Sequence, residues 1–272
     1  MNFMKQWALA LSLALVLTAC GTPAEEPPQE EPSQAEDPGD AVVVLPTADP
    51  EARAAFGSVL WDAYLTGILP DGTPLDWTGP EGAAGNSFAL CDVDGDGQEE
   101  LLLFWTNASM AGSRFDVFGY RDGAVFTELT TTPFVTFYGN GVVTEEWSHN
   151  QGLAGNTDFW PYDLHSYDAE TGIYQNVGAA DAWSSEQPAA AEEFPADIDA
   201  DGDGMVYFLL PANWDGSYSS GYLADGPEYE AWRAGYLDGA QPLDLQTQPL
   251  TEDNIAALGC PKPDVVIPEP VG

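Results

Sequence analysis

The chain has 272 residues, of which 45 are acidic and six are basic, and its formal net charge is −39 at neutral pH. This imbalance argues against nucleic-acid binding, which depends on clustered lysine and arginine side chains that displace counterions from phosphates. It also argues against direct attraction to anionic lipid headgroups. The acidity is otherwise explained by the solubility that a high net charge provides.

The first 19 residues have the organisation of a bacterial lipoprotein signal peptide. Lys5 supplies a basic start, the apolar segment 7–17 follows, and Leu17-Thr-Ala-Cys20 has the small residues and the cysteine of a lipoprotein cleavage site. The apolar segment is too short to span a bilayer, which takes about 20 residues. An ordinary secretory peptide with a cysteine by chance is the alternative. From this cleavage site we predict that Cys20 is acylated. Two acyl chains suffice for stable anchoring, so the lipid would hold the protein to the extracytoplasmic face of the cell membrane.

Residues 20–45 are predicted to form an acidic, proline-rich tether. The segment 21–41 contains five prolines, seven acidic residues and no aromatic residue, so it cannot bury enough apolar surface to fold. Such a chain is a stiff, self-repelling spacer. Once the signal peptide is removed, five basic side chains stand against 45 acidic ones, a formal charge of −40. Residues 46–272 are consistent with a single β-rich domain.

A helix is predicted to begin at Pro50. Asp49 is a favourable N-cap, proline is favoured at the first helical position, and Glu51 places an acid in the first turn. Gly67 is expected to end the helix. Apolar residues recur at helical spacing and predict one face packed on a core: Ala52, Ala55, Phe56, Val59, Leu60, Ala63 and Tyr64.

The stretch Asp92-Val-Asp-Gly-Asp-Gly-Gln-Glu-Glu100 has the spacing of a calcium-binding loop. Acidic residues stand at loop positions one, three, five and nine, and a glycine at position six permits the sharp turn. Position seven would contribute its backbone carbonyl. A solvated turn without an ion is the alternative. The predicted calcium ligands are the side chains of Asp92, Asp94, Asp96 and Glu100 and the carbonyl of Gln98.

This loop is predicted to belong to a β-sheet rather than to an EF-hand. Position twelve is Leu103, where an EF-hand needs a bidentate acid. Residues 101–105 are apolar at every position, which predicts a strand buried on both faces. The stretch 88–102 resembles the loop-then-strand signature of integrin-type FG-GAP and VCBS repeat proteins, in which an extracellular aspartate-rich loop binds calcium beside a β-blade. The mature chain also resembles uncharacterised surface lipoproteins of anaerobic Firmicutes that carry one such loop.

From about residue 86 the apolar pattern becomes that of strands, and turn residues recur. Three hairpins are predicted, with turns that contain or close at Gly123, Gly141 and Gly172. Asp225 and Thr251 are predicted to begin short helices. The predicted fold is mainly β, a β-rich α+β chain in which antiparallel hairpins form a sandwich or a propeller-like sheet, with an N-terminal helix and short C-terminal helices. The paired segments are 115–120 with 125–129, 134–138 with 142–147, and 162–168 with 173–177.

A second acidic cluster precedes the predicted strand 205–210. Two registers compete, because either Gly202 or Gly204 can stand at position six, and the ninth residue is then Met205 or Tyr207. Neither register has the ninth-position acid of the first loop, so this is a weaker candidate cation site, with a solvated turn as the alternative. Its acidic members are Asp197, Asp199, Asp201 and Asp203.

Two cysteines, Cys91 and Cys260, remain once Cys20 is assigned to lipid. A disulfide between them would tie the first loop to the C-terminal end of the domain, and an oxidising exterior would permit it. Free thiols are the alternative, because the sequence does not give the Cα separation on which a bridge depends.

The sequence contains no nucleophile elbow, Walker loop, dinucleotide fingerprint or paired-cysteine zinc motif. The two imidazoles, His149 and His165, are predicted to cap or pair in a sheet rather than to act as bases or metal ligands. We therefore predict a non-catalytic binding or scaffolding domain stabilised by calcium, whose protein or glycan ligand the sequence does not name.

A glycan-binding or glycan-cleaving accessory protein of the cell envelope is the alternative function. Acid pairs such as Glu145 and Glu146 could in principle flank a sugar. The mature chain also keeps eight tryptophans, although most are predicted to lie in the core, since Trp105 and Trp147 fall within strand patterns. A third interpretation is a structural domain of the envelope whose first loop is a turn without an ion.

Overall fold

The computed structural model describes residues 49–108, 112–147, 152–153, 157–186 and 193–264. All of these residues belong to one unit, Val44–Gly272. The predicted signal peptide, the whole of the predicted tether with Cys20, and His149 lie outside the described residues, and their roles stay predictions. No helix in the described part of the chain combines the length and the apolar character that a membrane span requires.

The described residues form two antiparallel β-sheets, which confirms the mainly β fold predicted from the sequence. The strand order is β11-β1-β2-β3-β4 in the first sheet and β10-β9-β8-β7-β6-β5 in the second. The helices are α1 (Pro50–Thr66), α2 (Pro80–Ala83), α3 (Gly226–Leu237) and α4 (Glu252–Ala257). The strands are β1 (Ser87–Cys91), β2 (Glu100–Trp105), β3 (Arg114–Arg121), β4 (Ala124–Thr131), β5 (Val135–Tyr138), β6 (Val142–Glu146), β7 (Tyr162–Asp168), β8 (Ile173–Ser184), β9 (Met205–Pro211), β10 (Tyr222–Ala224) and β11 (Gln248–Pro249).

Helix α1 is bounded by the predicted caps. The Asp49 carboxylate accepts a hydrogen bond from the Glu51 N–H at 2.9 Å, and Gly67 ends the helix in the left-handed conformation with a φ of 66°. The apolar face of α1 packs on the outer face of the first sheet, where Phe56 and Leu60 share a buried cluster with alternate residues of β2.

The three predicted hairpins are present. Strands β3 and β4 join at Asp122 and Gly123, whose positive φ angles of 54° and 82° give a turn with the twist of the flanking strands. Strand β8 is longer than predicted, because it continues to Ser184 rather than ending near Val177. Its second half is rich in alanine, which has low strand propensity. It is held in the sheet because β9 pairs with it from Gly178 to Ser184, and β7 pairs with it as far as Ala180.

The core consists of three layers of apolar side chains. One lies between α1 and the first sheet, one between the two sheets, and one between the second sheet and α3. In the middle layer, the rings of Phe115 of the first sheet and Phe137 of the second are 5.5 Å apart between centroids. Two sheets packed face to face form a β sandwich, which is the first of the two architectures considered from the sequence.

Both described cysteines are free thiols, so the Cys91–Cys260 disulfide is not formed. Cys91 ends β1 and packs against the layer between the sheets. Cys260 is buried against α1, where a Cβ added to Gly57 would lie 2.0 Å from its Sγ, and it belongs to a different apolar layer. Burial raises the pKa of both thiols, which keeps them protonated and unreactive.

Candidate metal centre

The predicted calcium loop connects β1 to β2, and its own backbone fixes the carboxylates. The Asp92 carboxylate accepts hydrogen bonds from the N–H groups of Gly95 at 2.8 Å and Gly97 at 3.1 Å. Both glycines have positive φ angles, 81° and 89°, which a residue with a Cβ rarely adopts. Asp94 accepts from the Asp96 N–H at 2.8 Å. Asp96 in turn accepts from Gln98 through the backbone N–H at 2.7 Å and the side-chain amide at 2.8 Å.

These hydrogen bonds bring the first three predicted ligands together. One carboxylate oxygen from each of Asp92, Asp94 and Asp96 lies within 4.8 Å of the other two. Three carboxylate oxygens at this separation form part of the all-oxygen shell that a hard cation such as Ca²⁺ requires. We call these three residues the outer group.

Glu100, the predicted ninth-position ligand, turns towards the protein interior. Its Oε2 accepts a hydrogen bond from the Val93 N–H at 2.9 Å. Its carboxylate forms a second set of oxygens within 4.8 Å of one another, together with Asp94 and Glu128. We call Asp94, Glu100 and Glu128 the inner group. Asp94 therefore belongs to both groups.

Glu128 comes from β4 and was not identified from the sequence. The register of β3 and β4 shifts between Val117, which faces Leu129, and Phe118, which faces Thr127. Glu128 is thus the extra residue of a β-bulge, and bulges redirect a side chain out of the regular alternation. Gly119 leaves the space that the Glu128 carboxylate occupies, because a Cβ there would lie 2.0 Å from Oε1. Nothing in the sequence around Glu128 indicates that its side chain reaches the calcium loop.

The inner group is buried. Asp94, Glu100 and Glu128 are 8%, 2% and 5% exposed, and in the described part of the chain no hydrogen-bond partner satisfies Asp94 Oδ2 or Glu128 Oε2. Burial, assisted by the negative charge of Asp94, raises the pKa of Glu100 to about 10 and that of Glu128 to about 8. Burial also raises the pKa of Asp94. Buried carboxylates without counter-charges are strongly unfavourable, so this group requires either protons or a cation.

A cavity of about 360 Å³ leads from solvent to both groups. Asp96 of the outer group and Glu100 and Glu128 of the inner group line it. Two arginines also line it. Arg53 forms an ion pair with Glu99 at 2.8 Å. The Arg121 guanidinium lies 4.5 Å from the ring centre of Phe126, and its charge acts to lower the pKa of Glu128 without offsetting burial. In the described part of the chain, the aromatic lining consists of phenylalanine and tyrosine without tryptophan.

The second acidic loop repeats the hydrogen bonding of the first loop and thereby identifies its register. The Asp199 carboxylate accepts from Gly202 N–H at 2.9 Å and from Gly204 N–H at 3.1 Å. Asp201 and Asp203 each accept from the N–H two residues further on. The register therefore begins at Asp199 with Gly204 at position six. Asp197 of the competing register lies before the loop.

A distant residue joins the second loop. The carboxylates of Asp199 and Asp201 group within 4.8 Å with that of Asp225, the residue that precedes α3. The Asp225 Oδ1 atom is buried without a hydrogen-bond partner. Asp225 thus brings a carboxylate to a loop whose own ninth position, Tyr207, has none, and loop spacing could not reveal it. Cation binding at the second loop stays a prediction.

His165 pairs within the second sheet, as predicted. It lies in β7, and its Nε2 is 3.2 Å from the Glu145 carboxylate on β6. Burial acts to raise the pKa of Glu145, but hydrogen bonds from His165 and from the Thr132 N–H outweigh this and lower it. The Glu145 carboxylate thus occupies the Nε2 atom of His165.

Comparison with known proteins assigns no family to the chain. No protein-family model matches it, and no solved structure matches it. A stretch of 72 residues, 26% of the chain, is 38% identical to part of the BBSome complex member BBS2 of Homo sapiens. The chain spans 9% of that protein's length.

Proposed function

We propose that this protein is a membrane-anchored, extracytoplasmic lipoprotein whose β-sandwich domain is stabilised by calcium at the first acidic loop and acts as a non-catalytic binding or scaffolding module. One observation carries the calcium part of this proposal: the carboxylates of Asp92, Asp94 and Asp96 converge within 4.8 Å while loop N–H groups orient each of them.

The chemistry of the loop favours calcium over softer metals. The outer group offers only carboxylate oxygens, and the Gln98 carbonyl is the expected further ligand. Oxygen-only ligands suit Ca²⁺, whereas zinc and copper favour nitrogen and sulfur. Binding would relieve repulsion among the aspartates and fix the connection between β1 and β2. Affinities of extracellular calcium modules are on the order of 10⁻⁴ to 10⁻³ M.

A calcium titration tests this site directly. Wild-type protein should bind calcium with a dissociation constant on the order of 10⁻⁴ to 10⁻³ M, and Asp96→Ala should weaken binding at the first loop by about ten-fold or more. Asp215→Ala is the control, since Asp215 is exposed and, within the described residues, its carboxylate accepts only from the Ser217 N–H. Equal weakening in both variants would show that calcium binding depends on the net charge of the protein rather than on the first loop.

Membrane anchoring rests on the sequence around Cys20. A basic start, a short apolar segment and a small-residue site ending in cysteine favour lipid attachment, and the high negative charge disfavours attachment through anionic headgroups. The resemblance to Firmicutes surface lipoproteins supports the same assignment.

We expect labelled fatty acid to be incorporated into the wild-type protein and not into Cys20→Ala. The variant should be released or remain unprocessed, because the acylated residue is missing. Cys91→Ala is the control and should be labelled as strongly as wild type. Full labelling of Cys20→Ala would contradict the lipoprotein assignment.

A further inference from the structure

We infer that the inner group of Asp94, Glu100 and Glu128 binds a second calcium ion, so that the first loop and β4 together form a two-cation site bridged by Asp94. This inference rests on the proposed calcium binding of the outer group. It adds a ligand, Glu128, that lies outside the loop motif.

The first argument is the unsatisfied chemistry of the inner group. Three carboxylates that are at least nine-tenths buried place oxygens within 4.8 Å of one another. Among the described residues, the buried Glu128 Oε2 and Asp94 Oδ2 have no hydrogen-bond partner of normal geometry, although the Tyr167 hydroxyl faces Asp94 and acts to lower the pKa that burial raises. Polar atoms buried in this way are rare in folded proteins unless a ligand or ordered water meets them.

The second argument is charge. The outer and inner groups together contain five carboxylates, and one divalent ion would neutralise only two of them. A second divalent ion leaves a single negative charge, which the Val93 N–H and the loop N–H groups can stabilise. Since removing unpaired charges from water is costly, two ions fit the site better than one.

The third argument is that two features of the fold, a bulge and a glycine, direct the Glu128 carboxylate into the site. The bulge in β4 turns Glu128 out of the strand alternation, and Gly119 on the neighbouring strand leaves room for its carboxylate. The cavity beside Glu100 and Glu128 gives the ion a path and gives water a place to complete six to eight oxygen ligands. Metal ions in two-metal sites lie about 3.5–4 Å apart, and Asp94, which belongs to both groups, has one carboxylate oxygen for each ion.

Counting bound calcium tests the inference. Native mass spectrometry and calorimetry on the detergent-solubilised full chain should show two calcium ions at the first loop of wild type and one in Glu128→Gln. Glu99→Gln is the matched control: it removes the same charge from a side chain that pairs with Arg53, and it should retain both ions. Each variant is also measured in combination with Asp199→Asn, which removes a ligand of the second loop, so that ions bound there can be subtracted from the count.

Glu128→Gln also separates a ligand from a structural residue. Without calcium, the variant should melt no lower than wild type, because it removes a buried and partly unpartnered carboxylate. Gly119→Ala provides a second variant, since its Cβ would displace the Glu128 carboxylate; it should likewise weaken the inner ion by about ten-fold or more.

The possible outcomes are distinct. One ion at the first loop of wild type, unchanged in Glu128→Gln, would overturn the second site and indicate that protons neutralise the inner group. One ion in wild type and none in Glu128→Gln would also overturn it, in favour of a single ion that Glu128 helps to bind. Absence of any calcium at the first loop of wild type would instead overturn the proposed function.

Discussion

In the absence of calcium, the folded domain should lose stability as the pH rises from about 5 to about 9. Burial and the neighbouring charges of Asp94 and Asp96 raise the pKa of Glu128 from 4.5 to about 8 and that of Glu100 to about 10. At Glu128, the positive charge of Arg121 opposes this rise. The folded state therefore binds more protons than the unfolded state from about pH 4.5 up to these values. Stability from this source is complete below the unfolded pKa and is lost as the pH rises through the folded values.

The effect is large because each group contributes up to about 1.4 kcal/mol per pH unit within its window. Urea unfolding in EDTA at several pH values measures it. Calcium should reverse the trend, since it binds the deprotonated carboxylates. Glu128→Gln should make the loss of stability less steep below about pH 8 because only Glu100 still contributes, and Glu99→Gln should leave the slope unchanged. A calcium-free stability that rises between pH 5 and pH 9 would contradict the description of the inner group.

Asp96→Ala should accelerate amide exchange across β2 in the presence of calcium, whereas Asp201→Ala should not. Strand β2 begins at Glu100, directly after the first loop, and pairs with β1 and β3 on its two sides. Val93 within the loop is buried between the sheets, and its carbonyl accepts a hydrogen bond from the Tyr174 hydroxyl at 3.0 Å. An ion bound at this loop would thus be coupled to the centre of the core.

The size of this effect follows from linkage. Calcium that binds only the folded state opposes opening of the domain. At about ten times its dissociation constant, it should slow the amide exchange that requires this opening by about eleven-fold. Asp96→Ala should remove most of that protection from β2. Asp201→Ala should change exchange near Gly202 and in the first turn of α3, since Asp201 groups with Asp225. Greater disruption of β2 by Asp201→Ala would show that the second loop matters more.

Much of the fold follows from local chemistry in the sequence. The ends of α1 are set by Asp49, Pro50 and Gly67, and the turn of the β3–β4 hairpin is set by Asp122 and Gly123. Each of these signals acts through residues only a few positions apart. The same holds for the outer group, because the loop's own N–H groups position Asp92, Asp94 and Asp96.

The parts that could not be predicted depend on contacts between distant segments. Glu128 enters the site through a bulge, and Asp225 reaches the second loop from the start of α3. Glu100 was predicted as the ninth-position ligand of the loop, but its grouping with Glu128 depends on how β4 packs. The length of β8 and the separation of Cys91 from Cys260 likewise depend on neighbours that are remote in sequence.

The most direct test of the central claim is thermal unfolding of wild type, Asp92→Asn and Asp199→Asn in EDTA and in calcium, with magnesium at equal ionic strength as the control for screening. Calcium at about ten times its dissociation constant adds about 1.4 kcal/mol per site, which raises the melting temperature of a domain of this size by about 3–6 °C. We predict this rise for wild type and Asp199→Asn, whereas Asp92→Asn should lose the part that the outer group contributes. A wild-type melting temperature that is the same in EDTA and in calcium, or a full calcium-dependent rise in Asp92→Asn, would contradict a calcium-stabilised first loop.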